Sequence, residues 1–194
     1  MIKTYLKYIE FEKRYSKHTI ISYHTDLQQF KNFLATIYPE LTLVNVDYRI
    51  LRSWIVSLVD NNIENTSINR KIASLRSFYK FLLKRDHIQE DPTWKLKVLK
   101  KSKKLPQFVN EDDMAKLLDQ LTFENDFPGQ RDKMVMEMLY GTGIRLSELI
   151  GLSENDVNFN NETIKVLGKR NKERIIPFSK SLGQSIKEYL SVKN

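Results

Sequence analysis

The sequence contains no cysteine. That excludes disulfides and thiolate metal sites, and it fits a reducing cytoplasm. No apolar run approaches the ~20 residues of a membrane-spanning helix. The opening MIKTYLKYIEFEKRYSK is amphipathic and charged from the start, unlike a secretory signal. There is no internal repeat and no low-complexity tract. Histidine occurs three times, at His18, His24 and His87, and never in the second half of the chain. What is present is ordinary for a globular protein of one or two domains: 194 residues, 41% hydrophobic and 29% charged.

The net charge of +8 is unevenly spread. Residues 1–90 hold 14 Lys/Arg against 9 Asp/Glu, residues 91–105 hold 6 lysines against 1 aspartate, and residues 106–194 hold 12 against 14. The positive field belongs to the first half and to the tract after it. Such asymmetry points to a polyanionic partner, most simply duplex DNA, although a lysine-rich solvated surface gives the same count.

The first ninety residues read as four helices. Ile20, Tyr23, Leu27, Phe30, Leu34 and Ile37 recur at three- and four-residue steps, the period of one buried helical face. Ser16 and Thr19 are candidate caps for that helix. Leu51, Trp54, Ile55, Leu58 and Val59 mark another, ended by Asn61-Asn62. Ile68, Ile72, Leu75, Tyr79 and Leu82 mark a third, with Thr66 as its expected cap. An opening helix carries Ile2, Leu6 and Ile9. Asp91-Pro92 breaks the pattern. The following DPTWKLKVLKKSKKL has scattered apolar residues and reads as a basic linker over 91–105, with Lys100, Lys101, Lys103 and Lys104 as DNA contacts.

The helix from Thr66 carries Arg76, Lys80 and Lys84 every four residues, a basic ridge beside the buried face. Arg70, Ser74 and Ser77 form a second polar row. Lys17, His18 and Thr19 sit at a helix start, a natural phosphate contact. A basic ridge continuing into a lysine-rich tract favours DNA over a merely solvated face.

The second domain, 106–194, mixes helices with a little β-structure. Asn110 and Asp113 form a start signal ahead of Met114, Leu117, Leu118 and Leu121. Phe127-Pro128 opens a helix through Met134, Met138 and Leu139 that ends at Gly141. The runs 163–166 and 174–177 form a hairpin with a long polar tip. Leu182 to Val192 is helical. Between them lies LYGTGIRLSELIGL, with Arg145 where one helix ends at glycine and the next begins. Free backbone N–H groups and a guanidinium there make an anion site, and arginine offers a phosphate two parallel donors. Glu148, three residues on, shares the face and can orient Arg145; a plain surface ion pair is the alternative.

GTGIRLSELIGLSENDV resembles the first catalytic block of the tyrosine recombinases, the phage integrase family, and especially its Xer-like bacterial members. KVLGKRNKERIIPF is similar to that family's hairpin, which typically reads GKGNKER. HTIISYHTDLQQFKNFL and TSINRKIASLRSFYKFLLKRD resemble two helices of its N-terminal DNA-clamping domain. The four blocks stand in the right order across essentially the whole chain. The resemblance implies a mainly α protein, with a four-helix, SAM-like DNA-clamping domain over 1–90 and a partial α+β catalytic domain over 106–194. It implies that Arg145 holds the scissile phosphate. It also implies that Lys169 protonates the departing 5′-oxygen, with Lys172 as a near competitor because Arg170 replaces the family's usual glycine. Neither metal nor cofactor is expected. The partners implied are duplex DNA and further copies of the protein, as a tetramer on DNA.

The departures are as specific as the matches. The family needs a later His-x-x-Arg block, another His or Trp, and a tyrosine nucleophile. Here no histidine follows His87, and the only tyrosine beyond Lys169 is Tyr189, beside Leu190 in the final helix, where packing is the expected role. The sequence reads as a site-specific recombinase lacking the C-terminal part of its catalytic domain. The alternative is a non-catalytic DNA-binding remnant or regulator that occupies recombination sites.

Overall fold

The computed structural model describes residues 1–101, 110, 113–114, 116, 123–124, 126–168 and 172–193. The chain divides into two compact units, Met1–Leu105 and Pro106–Asn194.

The first unit is a helical cluster. Helix α1 (Ile2–Lys7) runs into a π-helical turn, Tyr8–Glu12. Its inward residues are Tyr5 and Ile9, while the expected Ile2 and Leu6 sit at the margin of the core. Helix α2 (Lys17–Ile37) starts at Ser16, whose hydroxyl accepts from the Thr19 amide, so Ser16 is the cap. Asp47 caps α3 (Tyr48–Asp60) by accepting from the Ile50 amide at 3.0 Å. Helix α4 (Asn65–Lys84) begins at Asn65, ahead of the expected cap Thr66, whose hydroxyl instead donates to Glu64.

Most of the periodic apolar residues meet as the pattern requires, but Ile37 and Val59, at the ends of their helices, are exposed. Leu27, Phe30 and Leu34 of α2, Leu51, Trp54 and Ile55 of α3, and Ile68, Ile72, Leu75, Phe78 and Leu82 of α4 form one buried cluster. The Tyr5 and Phe78 rings meet edge-on at 5.3 Å, and those of Phe30 and Trp54 lie 5.0 Å apart. Each buried aliphatic or aromatic side chain there stabilises by roughly 1.5–3 kcal/mol. An ion pair lies inside: Asp26 and Lys71 are both buried and meet at 3.0 Å, and the Arg70 guanidinium also bonds Asp26.

The stretch 91–105, expected as a linker, is not a free tether over its described part. Leu96 is buried in the cluster and Leu99 packs against it. The Asn69 carboxamide accepts from the Leu99 amide at 2.7 Å and donates to the Leu99 carbonyl at 2.8 Å. Asn65 donates to the Lys100 carbonyl at 2.9 Å, and Arg76 donates to the Leu96 carbonyl. The scattered apolar residues are three apart, enough to grip α4 when asparagine side chains satisfy the exposed backbone.

In the second unit, helix α5 (Phe127–Thr142) is capped by Asp126, which accepts from the Gly129 amide at 2.8 Å. It runs one residue past the expected Gly141 and stops at Gly143, whose φ of +59° is a left-handed C-cap conformation that suits glycine. The short helix α6 (Leu146–Ile150) follows. The hairpin is β2 (Thr163–Leu167) against β3 (Glu173–Pro177), antiparallel, with Ile164 opposite Ile176 and Val166 opposite Arg174. A further two-residue strand, β1 (Val157–Asn158), pairs with β2, so among the described residues the hairpin is part of a three-stranded sheet. Helix α7 (Lys180–Lys193) closes the unit. Met134, Met138, Ile144, Ile164, Val166, Ile176, Leu182 and Ile186 form its core, so the methionines of α5 are packing residues. At the expected start signal the Met114 amide donates to the Asn110 carbonyl at 3.0 Å, and Asp113, Met114 and Lys116 are helical; Leu117, Leu118 and Leu121 lie outside the described residues.

No helix among the described residues is long and apolar enough to cross a membrane.

Candidate functional site

Arg145 stands between the left-handed Gly143 and the first turn of α6, with its side chain 65% exposed. Three of the backbone amides around it are spent within the turn. Those of Glu148 and Leu149 donate to the Arg145 carbonyl, both at 2.9 Å, and the Arg145 amide donates to Glu148 Oε2 at 3.0 Å. Those three amides are not what faces an anion; the guanidinium is open to solvent beside them. The reason is local: Glu148 at the third helical position folds back on the residue before the helix and takes its amide.

Glu148 does orient Arg145, whose Nη1 donates to Glu148 Oε1 at 2.8 Å. The carboxylate is buried, with 3% of its side chain exposed. A second arginine supports it: Arg174 Nη2 donates to Glu148 Oε2 at 2.7 Å. The hydrogen bond from the Arg145 amide, then the Arg174 and Arg145 guanidiniums, hold Glu148 well below the usual carboxylate range, at about 2, against the opposing effect of desolvation. Glu148 is thus an anion at any physiological pH, and it fixes one edge of the Arg145 fork while the rest faces solvent.

Arg174 was not singled out by sequence reasoning, although the alternation of β3 carries the signal. Ile176 points into the core, so Arg174, two residues earlier, shares the inner face opposite Val166. The neck of the hairpin closes beside the same carboxylate. The Gly168 amide donates to the Lys172 carbonyl at 2.8 Å, and a Cβ on Gly168 would lie 3.3 Å from Glu148 Oε1. Lys172 is exposed on that neck. Lys169, and with it Arg170, lies outside the described residues.

Tyr189 is half-buried. Its ring stacks on Phe127 at 6.1 Å, and it lines an apolar cleft of about 250 Å3 with Met134, Met138, Leu149 and Ile186. That is a packing environment.

On the first unit, Lys17 and His18 are exposed and Thr19 is half-buried at the α2 start, while Lys80 and Lys84 are exposed on α4. Lys84 Nζ lies 6.0 Å from the Tyr8 ring centre. Arg70 is exposed at its tip but shares the Asp26 carboxylate, and Arg76 is exposed while bonded to the Leu96 carbonyl. Ser74 is fully buried, its hydroxyl donating to the Lys71 carbonyl at 2.9 Å. It is no DNA contact: the helical period that put it in a row with Arg70 turns it beneath the surface. Lys100 and Lys101 are exposed; Lys103 and Lys104 lie outside the described residues.

Comparisons with known proteins cover both units. Residues 2–86 match the phage integrase N-terminal SAM-like domain, and residues 107–194 match the phage integrase family. The tyrosine recombinase XerC of Staphylococcus saprophyticus is 42% identical over 190 residues, covering 97% of this chain and 63% of that protein. The XerC of Staphylococcus carnosus is 40% identical over 191 residues, covering 98% and 63%. The chain therefore spans a little under two thirds of the length of these relatives. Among solved structures, the Tn1549 transposon integrase in complex with circular intermediate DNA superposes with a TM-score of 0.69 at 19% identity, covering 98% of this chain and 64% of that one. The XerH site-specific recombinase bound to a palindromic difH substrate gives 0.70 at 17%, covering 100% and 58%. The two family models together span both units, and the chain belongs to the phage integrase family of tyrosine recombinases.

Proposed function

We propose that this chain is the DNA-clamping and arginine-bearing part of a site-specific DNA recombinase. The observation that carries the reading is Arg145: a guanidinium open to solvent on one side and fixed on the other by a buried Glu148 that is ionised at physiological pH. Such a fork is pre-oriented for the non-bridging oxygens of one phosphate and for the charge that develops on them. The relatives are tyrosine recombinases, and the solved neighbours named above hold DNA; both support a duplex DNA partner and a cytoplasmic setting here.

In this reading residues 1–90 and the basic 91–105 clamp the duplex. Lys17, Lys80, Lys84 and the lysines at 100, 101, 103 and 104 neutralise phosphates and His18 and Thr19 hydrogen-bond them, with Arg70 and Arg76 contributing what their internal bonds leave free. Residues 106–194 bring Arg145 to the scissile phosphate. In a chain extended as its relatives are, a tyrosine hydroxyl attacks that phosphorus and forms a 3′-phosphotyrosyl ester. The bond to the 5′-oxygen breaks, and Lys169 or Lys172 gives the leaving oxygen its proton. A second strand's 5′-hydroxyl reverses the step, on a tetramer of protein copies. The 194 residues alone bind DNA without cutting it, because no histidine follows His87 and Tyr189 is a packing residue.

A second reading, a DNA-binding regulator that occupies recombination sites, rests on the packed setting of Tyr189. A nicked suicide substrate separates the two. The 194-residue chain is expected to give no covalent adduct on a denaturing gel, and an adduct abolished by Tyr189→Phe overturns the assignment of Tyr189. If the coding frame continues into a His-x-x-Arg block and a tyrosine, the extended protein is expected to trap an adduct that Arg145→Ala suppresses. Lys169→Ala is then expected to be rescued by a 5′-sulfur leaving group, which departs without a proton; rescue of Lys172→Ala instead moves the acid to Lys172. An extended protein that binds but never traps an adduct supports the regulator.

A further inference from the structure

Glu148 is a single negative charge, and two guanidiniums divide its oxygens. Arg145 Nη1 takes Oε1 at 2.8 Å and Arg174 Nη2 takes Oε2 at 2.7 Å. Burying a carboxylate requires one compensating cation and satisfied lone pairs. Arg145 alone meets most of that need, since it brings both a guanidinium and its backbone amide. The second arginine leaves the cluster with a surplus positive charge, and the surplus is not buried: the Arg145 side chain is 65% exposed and that of Arg174 41%.

The setting of Arg174 argues against a chance surface pair. It sits on the inner face of the sheet, in register with Val166 and two residues before the buried Ile176. The outer face of the same strand pair carries its own ion pair, Lys165 with Glu173 at 2.9 Å, so Arg174 is not needed to neutralise its neighbour. Bound by one edge to a shared carboxylate, the two guanidiniums have their remaining donors held close together, and an arginine fork suits a phosphate better than a point charge does.

We propose that Arg174 is a second phosphate-binding arginine, gripping the same phosphate as Arg145 or the next one along the strand, with Glu148 as the spacer that sets the two forks side by side. The proposal rests on the reading of Arg145 as a phosphate ligand. It gives the hairpin a grip on the DNA backbone independent of the lysines at its tip.

Each phosphate contact contributes about 0.9 to the log–log slope of affinity against salt. The 194-residue chain and its variants are titrated with a mixed-sequence duplex by fluorescence anisotropy across a salt series, and the thermal midpoint of each is measured in parallel. Arg145→Gln and Arg174→Gln are each expected to lower the slope by about one, and the double variant by about two. If Arg145→Gln lowers the slope and Arg174→Gln does not, Arg174 is only a brace for the hairpin, and this proposal falls while the reading of Arg145 stands. If neither changes it, both fall. Should Arg174→Gln melt early, Arg174→Lys carries the test. It keeps the charge and can still reach Glu148, so the slope is expected to hold while affinity drops several-fold for want of paired donors; affinity equal to the parent chain overturns the proposal.

Discussion

Arg174 and Glu148, 26 residues apart in sequence, meet at 2.7 Å and tie the hairpin of the second unit to the turn that carries Arg145. The hairpin and the arginine turn are therefore one electrostatic unit, and acid is the simplest way to take it apart. The Glu148 carboxyl is lowered from 4.5 to about 2 on folding. A depressed carboxylate stabilises the fold above its unfolded pKa, and that contribution is lost as pH falls from about 4.5 through about 2. Urea midpoints measured down that range are expected to fall more steeply for the parent chain than for Glu148→Gln. Parallel profiles would remove Glu148 as an acid-labile tie.

The buried pair in the first unit makes a different kind of prediction. Asp26 is fully buried between Lys71 and Arg70. Asp26→Ala strands the Lys71 ammonium and is expected to cost about 3–5 kcal/mol. The double variant Asp26→Leu/Lys71→Met removes both charges, and Arg70, exposed at its tip, can turn outward. Chemical denaturation is expected to show most of the loss recovered in the double variant; additive losses would mean that the charges do not act as a pair.

In the proposed DNA-binding reading, exposure separates contacts from scaffold. Lys80→Ala and Lys84→Ala are each expected to reduce the salt slope by about one. Ser74→Ala, at a buried hydroxyl, is expected to leave both slope and affinity unchanged. A Ser74→Ala protein of normal stability with weakened DNA binding would show that the helix opens on binding.

Gly143 ends α5 at a φ of +59°, and a Cβ there would meet nothing within 4 Å. The cost of Gly143→Ala is therefore conformational and not steric, about 1–2 kcal/mol. Gly143→Asn, which tolerates the left-handed region better, is expected to cost less in the same melt.

Much of the first unit was legible because three long helices each bury one continuous stripe, and period is what sequence shows best. Period alone does not give depth. Arg70 and Ser74 share a row, yet the first reaches water and the second lies under it. The α4 start was misplaced because Thr66 has a capping side chain and Glu64 stands in the capping position without a cap hydrogen bond. Strand β1 is two residues long, below the length at which alternation can be seen. At the site, Arg145 and Glu148 were legible as neighbours three apart on one turn. Arg174 was not, because its pairing depends on how a strand docks on a helix 26 residues away, and because lysines and arginines crowd the hairpin and mask the one that faces inward.

The clamp that Asn69 places on Leu99 bears on how the lysines beside it bind. A polar tract free in solution binds a polyanion as a loose polycation, and every residue that settles on the duplex loses conformational freedom at that moment. Here the backbone up to Lys100 is already pinned to α4 by two asparagines. Lys95, Lys97 and Lys100 therefore stand on fixed points, ordered when the protein folds and not when it meets its target. In the proposed DNA-binding reading they act less like a tail that wraps and more like teeth of set pitch, which fit a phosphate backbone of one curvature better than another.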